Sequence, residues 1–86
     1  IEIVSILKQN TIDIFSKAAF LLETKNFSAD GIAYLTLGDN PTQYFLTVTK
    51  VSENKFLVLV PKEVEAGKYV LHLETLGGKA TKELTI

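Results

Sequence analysis

Turn-forming residues punctuate this 86-residue chain so often that little room is left for a helix. They cluster at Lys8-Gln9-Asn10, Asn26 with Ser28-Ala29-Asp30-Gly31, Gly38-Asp39-Asn40-Pro41, Ser52-Glu53-Asn54, Glu65-Ala66-Gly67 and Gly77-Gly78. The stretches between run about five to nine residues and are rich in Ile, Val, Leu, Thr, Phe and Tyr, the rhythm of an all-β chain. No stretch keeps a 3.6-residue period; Val64-Glu65-Ala66 makes a helical turn at most. The spacing predicts strands near 1–7, 11–15, 18–25, 31–37, 43–51, 55–61, 68–76 and 79–86. With no linker, repeat or low-complexity tract, the chain reads as one domain over 1–86.

Alternation sorts the faces of these strands. Tyr69, Leu71 and Leu73 fall on one side, with Val70, His72 and Glu74 on the other. Phe20, Leu22 and Thr24 share a face, as do Phe56, Val58 and Val60. The opposite faces of those two strands carry Leu21, Leu57 and Leu59, where a solvated sheet surface calls for polar residues.

Composition removes whole classes of chemistry. Nine Lys, no Arg and ten acidic residues leave a net charge of -1, so no field gathers a phosphate backbone or an anionic membrane surface. One His and no Cys, Met or Trp exclude thiolate catalysis, disulfides and multi-histidine metal sites. No cofactor is expected. The longest apolar runs, Ala18 to Leu22 and Phe56 to Val60, fall far short of the roughly 18 residues of a membrane-spanning helix. Strand-like alternation at both ends, Ile1-Glu2-Ile3 and Thr85-Ile86, is expected of a segment of a longer multidomain chain. Asn26-Phe27-Ser28 matches the N-glycosylation triplet, a pattern that often arises by chance.

In Glu65-Ala66-Gly67-Lys68-Tyr69-Val70-Leu71, a Tyr stands four residues after an acidic residue and two before an apolar core position. Immunoglobulin-like sandwiches carry such a Tyr near the start of strand F, bonded back to the backbone upstream and two positions before a core cysteine. Leu71 holds that position here, so packing replaces the disulfide. The chain thereby resembles the IPT/TIG immunoglobulin-like domains of bacterial surface proteins, plexin-type receptors, some polysaccharide-processing enzymes and Rel-type transcription factors. Ile3-Val4-Ser5-Ile6 resembles the family's opening strand, Phe20 through Asn26-Phe27 its second, and Ile32 to Gly38 its third, ending in Gly. Val48 to Ser52 followed by Phe56 to Pro61 resembles its strand, turn, strand and Pro. Ala66-Gly67-Lys68-Tyr69 with Val70 to Leu73 is similar to the next strand, and Gly78 to Thr81 to the approach to the last. Two departures stand out: the Ser-Pro with trailing Gly after the opening strand is missing, and Thr24 replaces the usual Gly, removing a bend near that residue.

The resemblance implies an immunoglobulin-like two-sheet β-sandwich of seven or eight strands with no disulfide, and Tyr69 as its tyrosine corner. It also pairs the strand through Phe20 with the strand through Val58, which gathers Leu21, Leu57 and Leu59 into one outward patch. Burying three leucines by association is worth on the order of 5 kcal/mol before entropy costs. A loop over 8–17, carrying Ile12, Ile14 and Phe15, is the alternative cover. Rel-type relatives bind DNA through Arg and Lys loops, but without Arg the bidentate reading of guanine is missing, and no nucleic-acid partner is expected.

The chemical candidates are few. His72, alone on an outward strand phase, is expected to be an exposed surface residue. Glu63, Glu65, Glu74 and Glu83 offer carboxylates for glycosidase-like work, but a sandwich face offers no closed cavity to raise a carboxyl pKa, so catalysis is not expected. Asp30-Gly31 and Gly38-Asp39-Asn40 lack the dense ligand spacing of a strong calcium loop. Tyr34 and Tyr44 flank the Gly38–Pro41 turn and, with Asp39, Asn40 and Gln43, form a candidate glycan platform, although sugar platforms favour the missing Trp. The expectation is a non-catalytic spacer and protein-interaction module of an extracellular or cell-surface protein, its partners being adjacent domains or other subunits; lack of Cys is equally compatible with a cytosolic setting. A carbohydrate-binding accessory module, or a subunit of a filament or particle joined by strand or face contacts, are the alternatives.

Overall fold

The computed structural model describes residues 1–9, 16–28 and 30–86. The strands are β1 (Glu2–Gln9), β2 (Ser16–Lys25), β3 (Ile32–Thr36), β4 (Tyr44–Phe45), β5 (Thr47–Ser52), β6 (Lys55–Pro61), β7 (Lys68–Thr75) and β8 (Gly78–Thr85). They form two antiparallel four-stranded sheets, ordered β1-β2-β6-β5 and β4-β3-β7-β8. That is the immunoglobulin order, with β4 a short strand added beside the third. The chain is an eight-stranded β-sandwich with no cysteine.

The strand expected over 11–15, with Ile12, Ile14 and Phe15, lies outside the described residues. The strand expected over 43–51 is corrected to two, β4 in the second sheet and β5 in the first. The crossing point is Leu46. Its N–H donates to the Ala33 carbonyl at 2.9 Å and its side chain is buried, after which Thr47 pairs with Leu59 in the other sheet.

The core lies between the sheets as alternation requires. Phe20, Leu22, Phe56, Val58 and Val60 project from one side and Ala33, Leu35, Tyr69, Leu71, Leu73 and Leu84 from the other. Phe27 closes one end edge-on to Phe56, centroids 5.0 Å apart at 81°. Thr24 is buried among them, its N–H bonded to the Asn54 carbonyl at 2.8 Å and its hydroxyl without a hydrogen-bond partner among the described residues. With Thr there, β2 runs on to Lys25 and the chain turns at Asn26, whose φ of 62° is a left-handed conformation that Asn tolerates. The Tyr69 hydroxyl donates to the Glu65 carbonyl at 2.7 Å, the upstream bond characteristic of a tyrosine corner.

Three edge strands share a device. Lys8 on β1 stands opposite Phe20, Lys50 on β5 opposite Phe56, and Lys82 on β8 opposite Leu71, so each lysine takes a core-side position of its strand. A charge there cannot be covered by another sheet, which discourages a foreign strand from extending the edge. The fourth edge, β4, is only two residues long.

Candidate functional site

The outer face of the β1-β2-β6-β5 sheet is built in rows across the strands. The first reads Ser5, Glu23, Lys55, Ser52; the second Leu7, Leu21, Leu57, Thr49; the third Gln9, Ala19, Leu59, Thr47. Leu21 and Leu57 are direct cross-strand partners and Leu59 lies in the adjoining row, so all three leucines share one face. Leu7, absent from the sequence-based patch, extends it toward the β1 edge and is 57% exposed. The signal it hid behind is a bulge: the register skips Val4 between Ile3 and Ser5, so Ile3 faces the core while Leu7, four residues on, faces outward. Leu21, Leu57 and Leu59 are half-buried and Ala19 is buried. Much of the gain expected from covering the three is therefore already realised within the chain, leaving about 2–3 kcal/mol for a partner, with Leu7 adding to it.

The opposite sheet carries a row of rings. Phe45, Tyr34 and His72 stand side by side on β4, β3 and β7. Tyr34 stacks on His72 with centroids 4.6 Å apart and planes at 4°, and Phe45 tilts against it at 5.6 Å. The Tyr34 hydroxyl donates to Glu74 Oε2, and His72 Nε2 hydrogen-bonds Thr36 Oγ1 at 2.9 Å. The exposed surface position expected of His72 is thus corrected: it is half-buried, because the register sets Tyr34 directly across from it.

Tyr34 and Tyr44 do not meet. Tyr34 pairs with Phe45 and faces outward, whereas Tyr44 pairs with Leu35, packs on the core and meets Tyr69 edge-on at 6.1 Å. Both faces of the Tyr34 ring are taken, by His72 and Phe45, so neither is free to stack on a sugar. Asp39 is exposed; Asn40 N–H donates to the Leu37 carbonyl at 3.0 Å and Asn40 Oδ1 accepts the Thr42 N–H at 2.9 Å, both closing the turn. Gln43 is exposed. In the Asn26 triplet, Asn26 is exposed, Phe27 is buried, and the Ser28 hydroxyl is bonded to Thr75 Oγ1 at 2.7 Å.

The carboxylates are dispersed. Glu83 lies four residues along β8 from Lys79, the partner of Glu74, which puts the Cα atoms of the two acids about 14 Å apart, whereas a glycosidase holds its two carboxyls at roughly 5–9.5 Å. Glu63 and Glu65 are exposed in the segment between β6 and β7. Two open depressions, of about 350 and 400 Å³, lie along the β7–β8 end and between β2 and the β5–β6 turn.

Donation to Glu74, with burial and the carboxylate charge adding to it, holds the Tyr34 phenol above its usual range. Burial first, then Tyr44 and Glu65, does the same for Tyr69. A raised folded-state pKa keeps the proton on in the native state after the unfolded chain has begun to lose it near pH 10. The contribution of both phenols is therefore intact below about pH 10 and is lost as pH climbs through the folded values. Urea midpoints taken between about pH 8 and pH 11.5 are expected to fall above pH 10, and less steeply in Tyr34→Phe. Parallel profiles for the two proteins would show that the Tyr34 to Glu74 bond carries no such linkage.

No protein-family model, curated protein or solved structure matches this chain.

Proposed function

We propose that this chain is a non-catalytic, IPT/TIG-like immunoglobulin module that acts as a spacer and protein-contact unit within a larger cell-surface, secreted or appendage protein. The observation carrying this reading is the apolar outward row Leu7, Leu21 and Leu57 with Leu59 beside it, in which Leu7 is exposed and the other three are half-buried. Contiguous apolar surface rimmed by polar residues is what protein interfaces use. The lysines at core-side positions of β1, β5 and β8 favour contact through this face over strand addition at the edges. Placement of the ends suits a spacer. The Gly78 Cα lies close enough to Ile1 that a Cβ there would sit 3.0 Å from its Cγ2, at the start of β8, whereas Ile86 exchanges hydrogen bonds with Gly67 beyond the other end of that strand.

The test is Leu57→Lys with Leu59→Lys in the full-length protein. Assembly with the neighbouring domain or subunit is expected to weaken by at least about tenfold, since two apolar contacts become buried charges, while the domain keeps its cooperative unfolding. Unchanged assembly and unchanged stability would reject the contact face. Turnover of an ester, glycoside or phosphate abolished by Glu→Gln changes would reject the non-catalytic assignment.

A further inference from the structure

We propose that the partner of the leucine face is a second copy of the same chain, packed face to face across a twofold axis that runs parallel to β2 and β6 and passes between them. The proposal rests on the contact face described above and adds to it the identity of the occupant. Such an axis lays each row of outward residues over the same row in reverse order. Leu21 then meets the partner's Leu57 and Leu57 the partner's Leu21, while Leu7 meets the partner's Thr49.

The adjoining row decides the matter. Its central residues are Glu23 and Lys55, one acidic and one basic, flanked by Ser5 and Ser52. Reversal places Glu23 over the partner's Lys55 and Lys55 over the partner's Glu23, so the face is complementary in charge to itself. Within its own chain the pair is not joined: the ion pair found among the described residues links Lys50 to Glu53, at 3.9 Å. The third row, Gln9, Ala19, Leu59 and Thr47, is uncharged, and with Ala19 already buried it adds no charge to oppose the pairing of the other two.

Four strands about 4.8 Å apart and three rows about 6.8 Å apart cover roughly 400 Å² of sheet. Two copies together bury about 800 Å², the size of a weak, reversible association rather than an obligate dimer. Assembly is therefore expected to depend steeply on concentration, and to weaken with salt as far as the charged row contributes.

Sedimentation of the 86-residue chain between about 10 µM and 1 mM tests the inference, a range matched to weak affinity. The parent is expected to pass from monomer to dimer across that range. Glu23→Lys alone and Lys55→Glu alone each set like charges face to face twice and raise the dissociation constant by about tenfold or more. An equimolar mixture of the two variants is expected to regain the parent's association, because each then presents the charge the other lacks, and so is the double variant on one chain. Disturbance of the 23–55 neighbours within one chain would not be relieved by mixing. A parent that stays monomeric throughout, or a mixture no tighter than its components, overturns the proposal. If that happens while Leu57→Lys/Leu59→Lys still breaks assembly of the full-length protein, the second copy is rejected and the contact face stands; if neither effect is seen, both fall.

Discussion

Phe56→Ala is expected to lower the unfolding free energy by about 3–5 kcal/mol, a large part of the 5–15 kcal/mol that holds an ordinary domain folded. Phe56 is 1% exposed on β6, an inner strand of the first sheet, across from Leu22 and packed nearly perpendicular to the Phe27 ring. Truncation removes its own transfer energy and leaves a void that two facing sheets cannot close without breaking ladder hydrogen bonds. Urea denaturation checks this: the midpoint drops while the slope with denaturant holds. A loss below about 1 kcal/mol would mean that the ring is not the keystone its position implies.

Gly31→Ala, a change of one methyl group, is expected to cost about 3 kcal/mol, the upper range for forcing an extra methyl into a packed site. A Cβ at Gly31 would stand 2.7 Å from the Glu74 carbonyl oxygen and 2.7 Å from Phe27 Cε1. The carbonyl cannot retreat, because Glu74 is held in register with Ile32 at the start of β3. The ring is the softer of the two, so Phe27→Leu is expected to relieve part of the damage. The double variant should then lose less stability than the sum of the two single changes, as coupled neighbours do. Additive losses, or a Gly31→Ala protein as stable as the parent, would show that the 26–31 segment shifts freely over the core.

Period-two alternation and turn spacing were enough to read an all-β chain and most of its core, Phe20 with Leu22, Phe56 with Val58 and Val60, and Tyr69 with Leu71 and Leu73 all facing inward, while the two-sheet arrangement was implied by the family resemblance. The tyrosine corner was legible because it is local, a bond spanning four residues. What escaped depends on register, which alternation does not encode. The crossing at Leu46 involves no turn residue, so one extended run was read where the chain changes sheets. Leu7 was missed because the bulge at Val4 inverts the phase of β1 after Ile3. Tyr34 and Tyr44 flank one turn in sequence, yet the way β3 and β4 pair sends them to opposite faces and brings in Phe45 and His72 instead. Leu21, Leu57 and Leu59 were found together since both of their strands alternate cleanly and the resemblance places those strands in one sheet, where they pair directly.

The placement of Ile1 and Ile86 at opposite poles has a mechanical consequence. Tension applied between them pulls β1 and β8 lengthwise, along strands tied to β2 and β7 by seven and eight residue pairs respectively. The ladders are then loaded in shear, and their hydrogen bonds must fail together rather than peel one at a time. Between β1 and β2 the load is borne on both sides of the bulge at Val4, and on β8 it continues past Thr85 to the bonds between Gly67 and Ile86. Force applied there enters the first sheet through β1 and the second through β8, each an outer strand of its sheet.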